Sequence, residues 1–142
     1  MSPWLIYALL SAIAAAAVAI FGKIGLQQLD ANTATAIRAV IMALFLVAVV
    51  VVQGKLQLVQ AIIQDKKAIL MIALSGIAGA LSWLFYFMAI KVGKVSQVAP
   101  IDKLSVVFTV VLAAILFGEK VSLWGGVGVA LIAAGAILVA LN

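Results

Sequence analysis

Five long apolar runs, each followed by a short polar interruption, confine this chain to a lipid environment. Each run is close to twenty residues long, and at a helical rise of about 1.5 Å per residue that length crosses a hydrocarbon core of roughly 30 Å. Apolar residues make up 68% of the 142 and charged residues only 9%, with a mean hydropathy of +1.40. A water-soluble domain of this size cannot hide that much hydrocarbon. The expected fold class is an all-α membrane protein, a five-helix transmembrane bundle forming one domain over residues 1–142, with lipid as its first partner.

The spans are expected at about 3–21, 33–52, 68–90, 96–117 and 122–141. Trp4 and Tyr7 open the first with aromatics that favour the membrane interface. No basic side chain precedes that run, so a cleaved signal peptide is not expected and the segment is read as retained. Between the second and third spans, residues 55–67 place Leu56, Val59 and Ile63 opposite Lys55, Gln57 and Gln64, the pattern of a connector lying on the membrane surface. Gly93 is expected to supply a positive φ in the turn after the third span. Pro100 falls in the early turns of the fourth, where a missing N–H costs little.

Cysteine and histidine are both absent, which removes disulfides, thiol redox chemistry and the commonest transition-metal ligands. No metal and no cofactor are expected. With only four acids and no nucleophile set beside a base, an enzyme is not expected either. The net charge of +5 is spread over the ends of the apolar runs, where lysines meet water and headgroups, and does not form a nucleic-acid surface.

Topology follows from counting lysine and arginine on each side. Lys55, Lys66, Lys67 and Lys120 fall on one side and Lys23, Arg38, Lys91, Lys94 and Lys103 on the other, so the nine basic residues divide four against five. Two readings stay open. The chain inserts both ways up and pairs as an antiparallel dimer, or a weak bias is resolved by the first span.

Charge inside a span costs roughly 2.5 to 3.5 kcal/mol at the helix centre. Arg38 lies early in the second span, and Asp102 and Lys103 lie at a matching depth in the fourth. An Arg38 to Asp102 ion pair with Lys103 adjoining would lower the cost of each; alternatively, Arg38 and Lys103 snorkel and Asp102 serves its helix dipole. Asp102, Ser105 and Thr109 fall at i, i+3 and i+7 of the fourth span and so share one face. Ser75, Gly79, Ser82 and Tyr86 share a face of the third, flanked by Trp83 and Phe87, and Thr35, Arg38 and Met42 share a stripe of the second. Together they suit a moderately polar organic solute; individually, hydroxyls bond their own helix and aromatics fill the bundle. The substrate and gating candidates are therefore Arg38, Asp102, Lys103, Ser105, Thr109, Ser82, Trp83 and Tyr86. Gly126, Ala130 and Ala134 recur every fourth residue in the last span, with Gly128 and Gly135 a heptad apart, and these small residues mark a close helix contact, either within the chain or as a dimer seam.

The run Val98-Ala99-Pro100-Ile101-Asp102-Lys103-Leu104-Ser105-Val106-Val107, the later Phe117-Gly118-Glu119-Lys120 and the glycine-rich last helix resemble the EamA-type drug/metabolite transporter superfamily. Thr35-Ala36-Ile37-Arg38 and Leu81-Ser82-Trp83-Leu84-Phe85-Tyr86 fit as well, so the resemblance covers essentially the whole chain. Common members carry two such units in tandem, inverted relative to each other, and export small metabolites. The resemblance implies that this chain is half of a ten-helix inverted-repeat transporter, that two copies assemble, and that the location is a bacterial inner membrane. The related small multidrug resistance proteins are antiparallel dimers that use a glutamate in their first helix for proton coupling; span one here has no acid. The expected function is a secondary transporter, exporting a small organic solute by alternating access as an antiparallel homodimer. A non-transporting membrane subunit of a larger complex and a channel are the alternatives.

Overall fold

The computed structural model describes residues 2–141; Met1 and Asn142, the ends of the expected domain, lie outside the described residues. The chain is all-helical, with α1 (Pro3–Gly25), α2 (Ala31–Val52), α3 (Leu56–Gln64), α4 (Lys66–Val92), α5 (Val95–Asp102), α6 (Ser105–Phe117) and α7 (Leu123–Ala140). Among the described residues five segments are long and apolar enough to cross a membrane: α1, α2, α4, α5 with α6 as Val95–Phe117, and α7. The short α3 falls within the stretch expected as a connector, and Leu56, Val59 and Ile63 are exposed on it.

The second and third spans start two residues earlier than hydropathy alone places them, at Ala31 and Lys66, and polar side chains cap three of the helices. The Asp30 carboxylate accepts from the Thr33 backbone N–H and hydroxyl, both at 2.8 Å, and starts α2 at Ala31. The Asp65 carboxylate accepts from the amides of Lys67 and Ala68 at 3.0 Å and starts α4 at Lys66. Ser122 does the same for α7 through the Gly125 amide. Each cap satisfies amides that have no partner within the helix.

The fourth span departs from the expectation of one helix. Pro100 cannot donate to the carbonyl four residues earlier, and α5 ends two residues later at Asp102. Across the break the amides of Lys103, Leu104, Val106 and Val107 donate to carbonyls three residues back, at 3.0 to 3.1 Å. These tighter turns keep the backbone bonded where the α-helix is interrupted.

The glycines at two turns act for different reasons. Gly118 closes α6 at φ +66°, a left-handed cap. Gly93, expected to supply a positive φ, does not: the positive-φ glycines of the described chain are Gly54 and Gly118. It is needed because a Cβ there would sit 3.1 Å from the Ala89 carbonyl oxygen and 3.2 Å from Val98 Cγ2.

The described chain divides into two compact units. Gly25–Met88 contains α2, α3 and most of α4. The other contains α5, α6 and α7 with most of α1 and the last residues of α4. In this second unit α7 packs on α5 and, less extensively, on α6. Ala136 is buried on α7, and Gly128, Val129 and Ala133 are half-buried. The neighbouring stripe of Gly126, Ala130 and Ala134 is exposed, as is Gly135, and a Cβ on Gly126 would meet nothing within 4 Å. Close packing inside the unit thus uses a different face of α7 from the four-residue repeat.

Alanine at Gly118 forces a side chain into the left-handed region, at about 1 to 2 kcal/mol, and alanine at Gly93 meets a backbone oxygen. Both are expected to lower the midpoint of thermal unfolding in mild detergent, whereas Gly126→Ala, inside α7 and in open space within its own copy, does not lower that of the separated copy. Equal midpoints for all three variants would contradict this account of the turns.

Candidate functional site

In the Gly25–Met88 unit the geometry centres on one cation. Arg38 is the eighth residue of α2, which places its Cα about 10 Å along the helix from its start. Trp83 and Phe87 are four residues apart near the end of α4 and so share a helix face. The Arg38 guanidinium carbon lies 3.5 Å from the centre of the Trp83 indole and 3.9 Å from the centre of the Phe87 ring. The two rings are tilted by 59° with centroids 6.1 Å apart, and Tyr86 meets Phe87 edge-on at 5.5 Å. Phe87 is almost fully buried, at 2% exposure.

A cation over an aromatic face is stabilised by about 2 kcal/mol when desolvated. Two rings therefore offset much of the 2.5 to 3.5 kcal/mol, roughly, that a charge costs inside a span. The rings lie against the guanidinium carbon and supply no oxygen or nitrogen acceptor to its N–H groups. Nε, Nη1 and Nη2 of Arg38 are all buried, and no protein atom among the described residues accepts a hydrogen bond from them. Unmet donors of this kind cost about 1 to 3 kcal/mol. This arrangement holds a charge in place while keeping its directional bonding capacity unused.

The other unit carries the second charged feature, at the break in the fourth span. Asp102 ends α5, Lys103 caps it, and the Lys103 ammonium donates to the Asp102 carboxylate at 3.1 Å. Each charge also suits its position, the cation near the C-terminal end of α5 and the acid ahead of α6. Elsewhere in this unit the Lys23 ammonium donates to the carbonyls of Ile90, Lys91 and Gly93, closing the end of α4. Lys carbonyl caps satisfy groups that the helix cannot.

Within its own unit Arg38 has two rings as partners, and within the other Asp102 has Lys103. Ser105 is the first residue of α6 and exposed, as is Thr109. Because the helix is interrupted at Lys103 and Leu104, these two do not continue a helical face from Asp102. On α4, Ser82 is exposed, while Trp83 and Tyr86 are half-buried. The Thr35 hydroxyl donates to the Ala31 carbonyl at 2.7 Å, the own-helix bond open to any span hydroxyl. Phe87, read from the sequence only as part of an aromatic row, is the second ring on Arg38. Its spacing from Trp83, at the end of the span facing the start of α2, was the available signal.

Five segments long and apolar enough to cross a membrane make this a multi-pass membrane protein. The chain belongs to the EamA-like transporter family, which matches residues 2–141. A Sinorhizobium protein described as an uncharacterized transporter in the cobO 3' region is 43% identical over 137 residues, 96% of each chain. No solved structure matches the chain. The family points to a transporter and not to an enzyme.

If the rings carry the charge of Arg38, their contributions depend on it. Trp83→Leu is expected to lower stability by about 1 to 2 kcal/mol with Arg38 present and by clearly less in an Arg38→Met background. Unfolding midpoints of the four proteins in mild detergent measure the difference; strict additivity would show that the rings only fill space.

Proposed function

We propose that this transporter works as two copies inserted in opposite orientations, moving a small organic solute outward across the inner membrane by alternating access. The observation that carries the reading is the combination of five spans with basic residues divided four against five. An odd number of spans sets the two ends of the unit on opposite sides. Two antiparallel copies then make the inverted arrangement that, in many transporters, creates a site near the midplane. The even charge distribution removes the usual penalty for inserting either way up. The Sinorhizobium relative is matched over 96% of its own length, and a relative of the length of one such unit favours assembly from separate copies.

Arg38, Asp102 and Lys103 gate the path in this reading. Asp102 is the candidate coupling group: Asp30 and Asp65 are helix caps, and Glu119 follows the cap of α6. Its place at a helix break supports the role, since discontinuous helices in transporters present both helix ends and unwound backbone to solute and ions. Ser105, Thr109, Ser82, Trp83 and Tyr86 contribute solute contacts, and the exposed Gly126, Ala130 and Ala134 stripe, with Gly128 and Gly135, forms the seam between copies.

Fusions to the C-terminus of a reporter active only outside and another active only inside are expected to give comparable signals. A one-sided signal overturns antiparallel pairing. In proteoliposomes Asp102→Asn is expected to reduce solute flux at least tenfold, and wild-type flux in that variant removes its coupling role. Stoichiometric co-purification with a larger protein, with no flux from this chain alone, would instead establish a non-transporting subunit.

A further inference from the structure

We infer that Arg38 is a receptor for an oxyanion, and that the solute is accordingly a small organic carboxylate or phosphate. The solute half of this inference rests on the transport reading; the receptor half stands on geometry.

The guanidinium lies against Trp83 and Phe87 at 3.5 and 3.9 Å. Ring faces satisfy its charge but accept nothing from N–H groups that radiate in the plane of the fork. Nε, Nη1 and Nη2 are buried without a protein acceptor among the described residues. The acids of the same unit are engaged at helix starts, Asp30 on Thr33 and Asp65 on Lys67 and Ala68. Asp102, in the other unit, accepts from Lys103. Five donors fixed in one plane and left without a protein acceptor match a group that presents two oxygens side by side to the fork. Carboxylate and phosphate have that geometry, and both carry the charge that makes such bonds strong. Apolar surroundings strengthen the attraction by lowering the local dielectric. A lysine would supply charge without the fork, so the residue type itself is part of the argument.

Trp83 also provides the readout. The chain has three tryptophans, and Trp4→Phe with Trp124→Phe leaves Trp83 as the sole emitter, its ring directly against the binding group. In phosphatidylcholine vesicles, benzoate and phenyl phosphate are expected to change its emission saturably, with benzamide, the neutral isostere of benzoate, at least tenfold weaker. Arg38→Lys, which keeps the charge, is expected to weaken both anions at least tenfold. Equal midpoints for benzoate and benzamide, or no saturable response to either anion, overturn the receptor. The same titration in phosphatidylglycerol vesicles separates solute from lipid: if emission there already sits at its saturated position and the added anions no longer move it, the oxyanion is a headgroup phosphate and the solute assignment falls. Anion binding without flux in proteoliposomes would leave the receptor standing and remove the transport reading. Flux of neutral or cationic solutes, unchanged by Arg38→Lys and without anion binding, would do the reverse.

Discussion

Inside a bilayer a backbone amide or carbonyl that loses its helical partner has no water to turn to, and this single constraint explains most of the local structure of this transporter. Five segments meet it by being helices from one side of the membrane to the other. Where helices begin, Asp30, Asp65 and Ser122 accept from the first amides. Where α6 ends, a left-handed Gly118 turns the chain so that its own amide reaches back to the Ala113 carbonyl. The interruption at Lys103 and Leu104 obeys the same rule, since shorter-range bonds replace those the helix gives up. What the break gains is a charged pair at the junction of two half-helices, a feature that an unbroken span could not present.

Arg38 shows the constraint acting on a side chain. A guanidinium has two kinds of surface, a flat face that attracts π-electrons and an edge that demands acceptors. The aromatic pair on α4 meets the first demand and leaves the second. Holding a cation against aromatic rings fixes its position without consuming its hydrogen bonds. An ion pair would have quenched both its charge and its donors.

The existence and number of spans were legible because hydropathy over twenty residues is a strong signal and nothing in the fold competes with it. Span starts were less legible: Asp30 and Asp65 lie outside the apolar runs, and only their capping geometry brings α2 and α4 forward to Ala31 and Lys66. The break in the fourth span was hidden because Pro100 sits near a helix start, where proline is normally harmless. Gly93 was recognised as special but for the wrong reason, crowding against Ala89 and Val98 being a tertiary fact that no local pattern carries. Arg38 and Trp83 stood out as costly or interfacial side chains, and so, in the other unit, did Asp102. The ring of Phe87 on Arg38 did not, since reasoning from charge overlooks a phenylalanine one helical turn from a tryptophan.

The Lys23 ammonium at the end of α4 bears on how the chain matures. It joins residues 67 to 70 positions apart, so the contact cannot exist until the third span has left the ribosome and entered the bilayer. The final seating of α1 is therefore a late event in the assembly of the bundle.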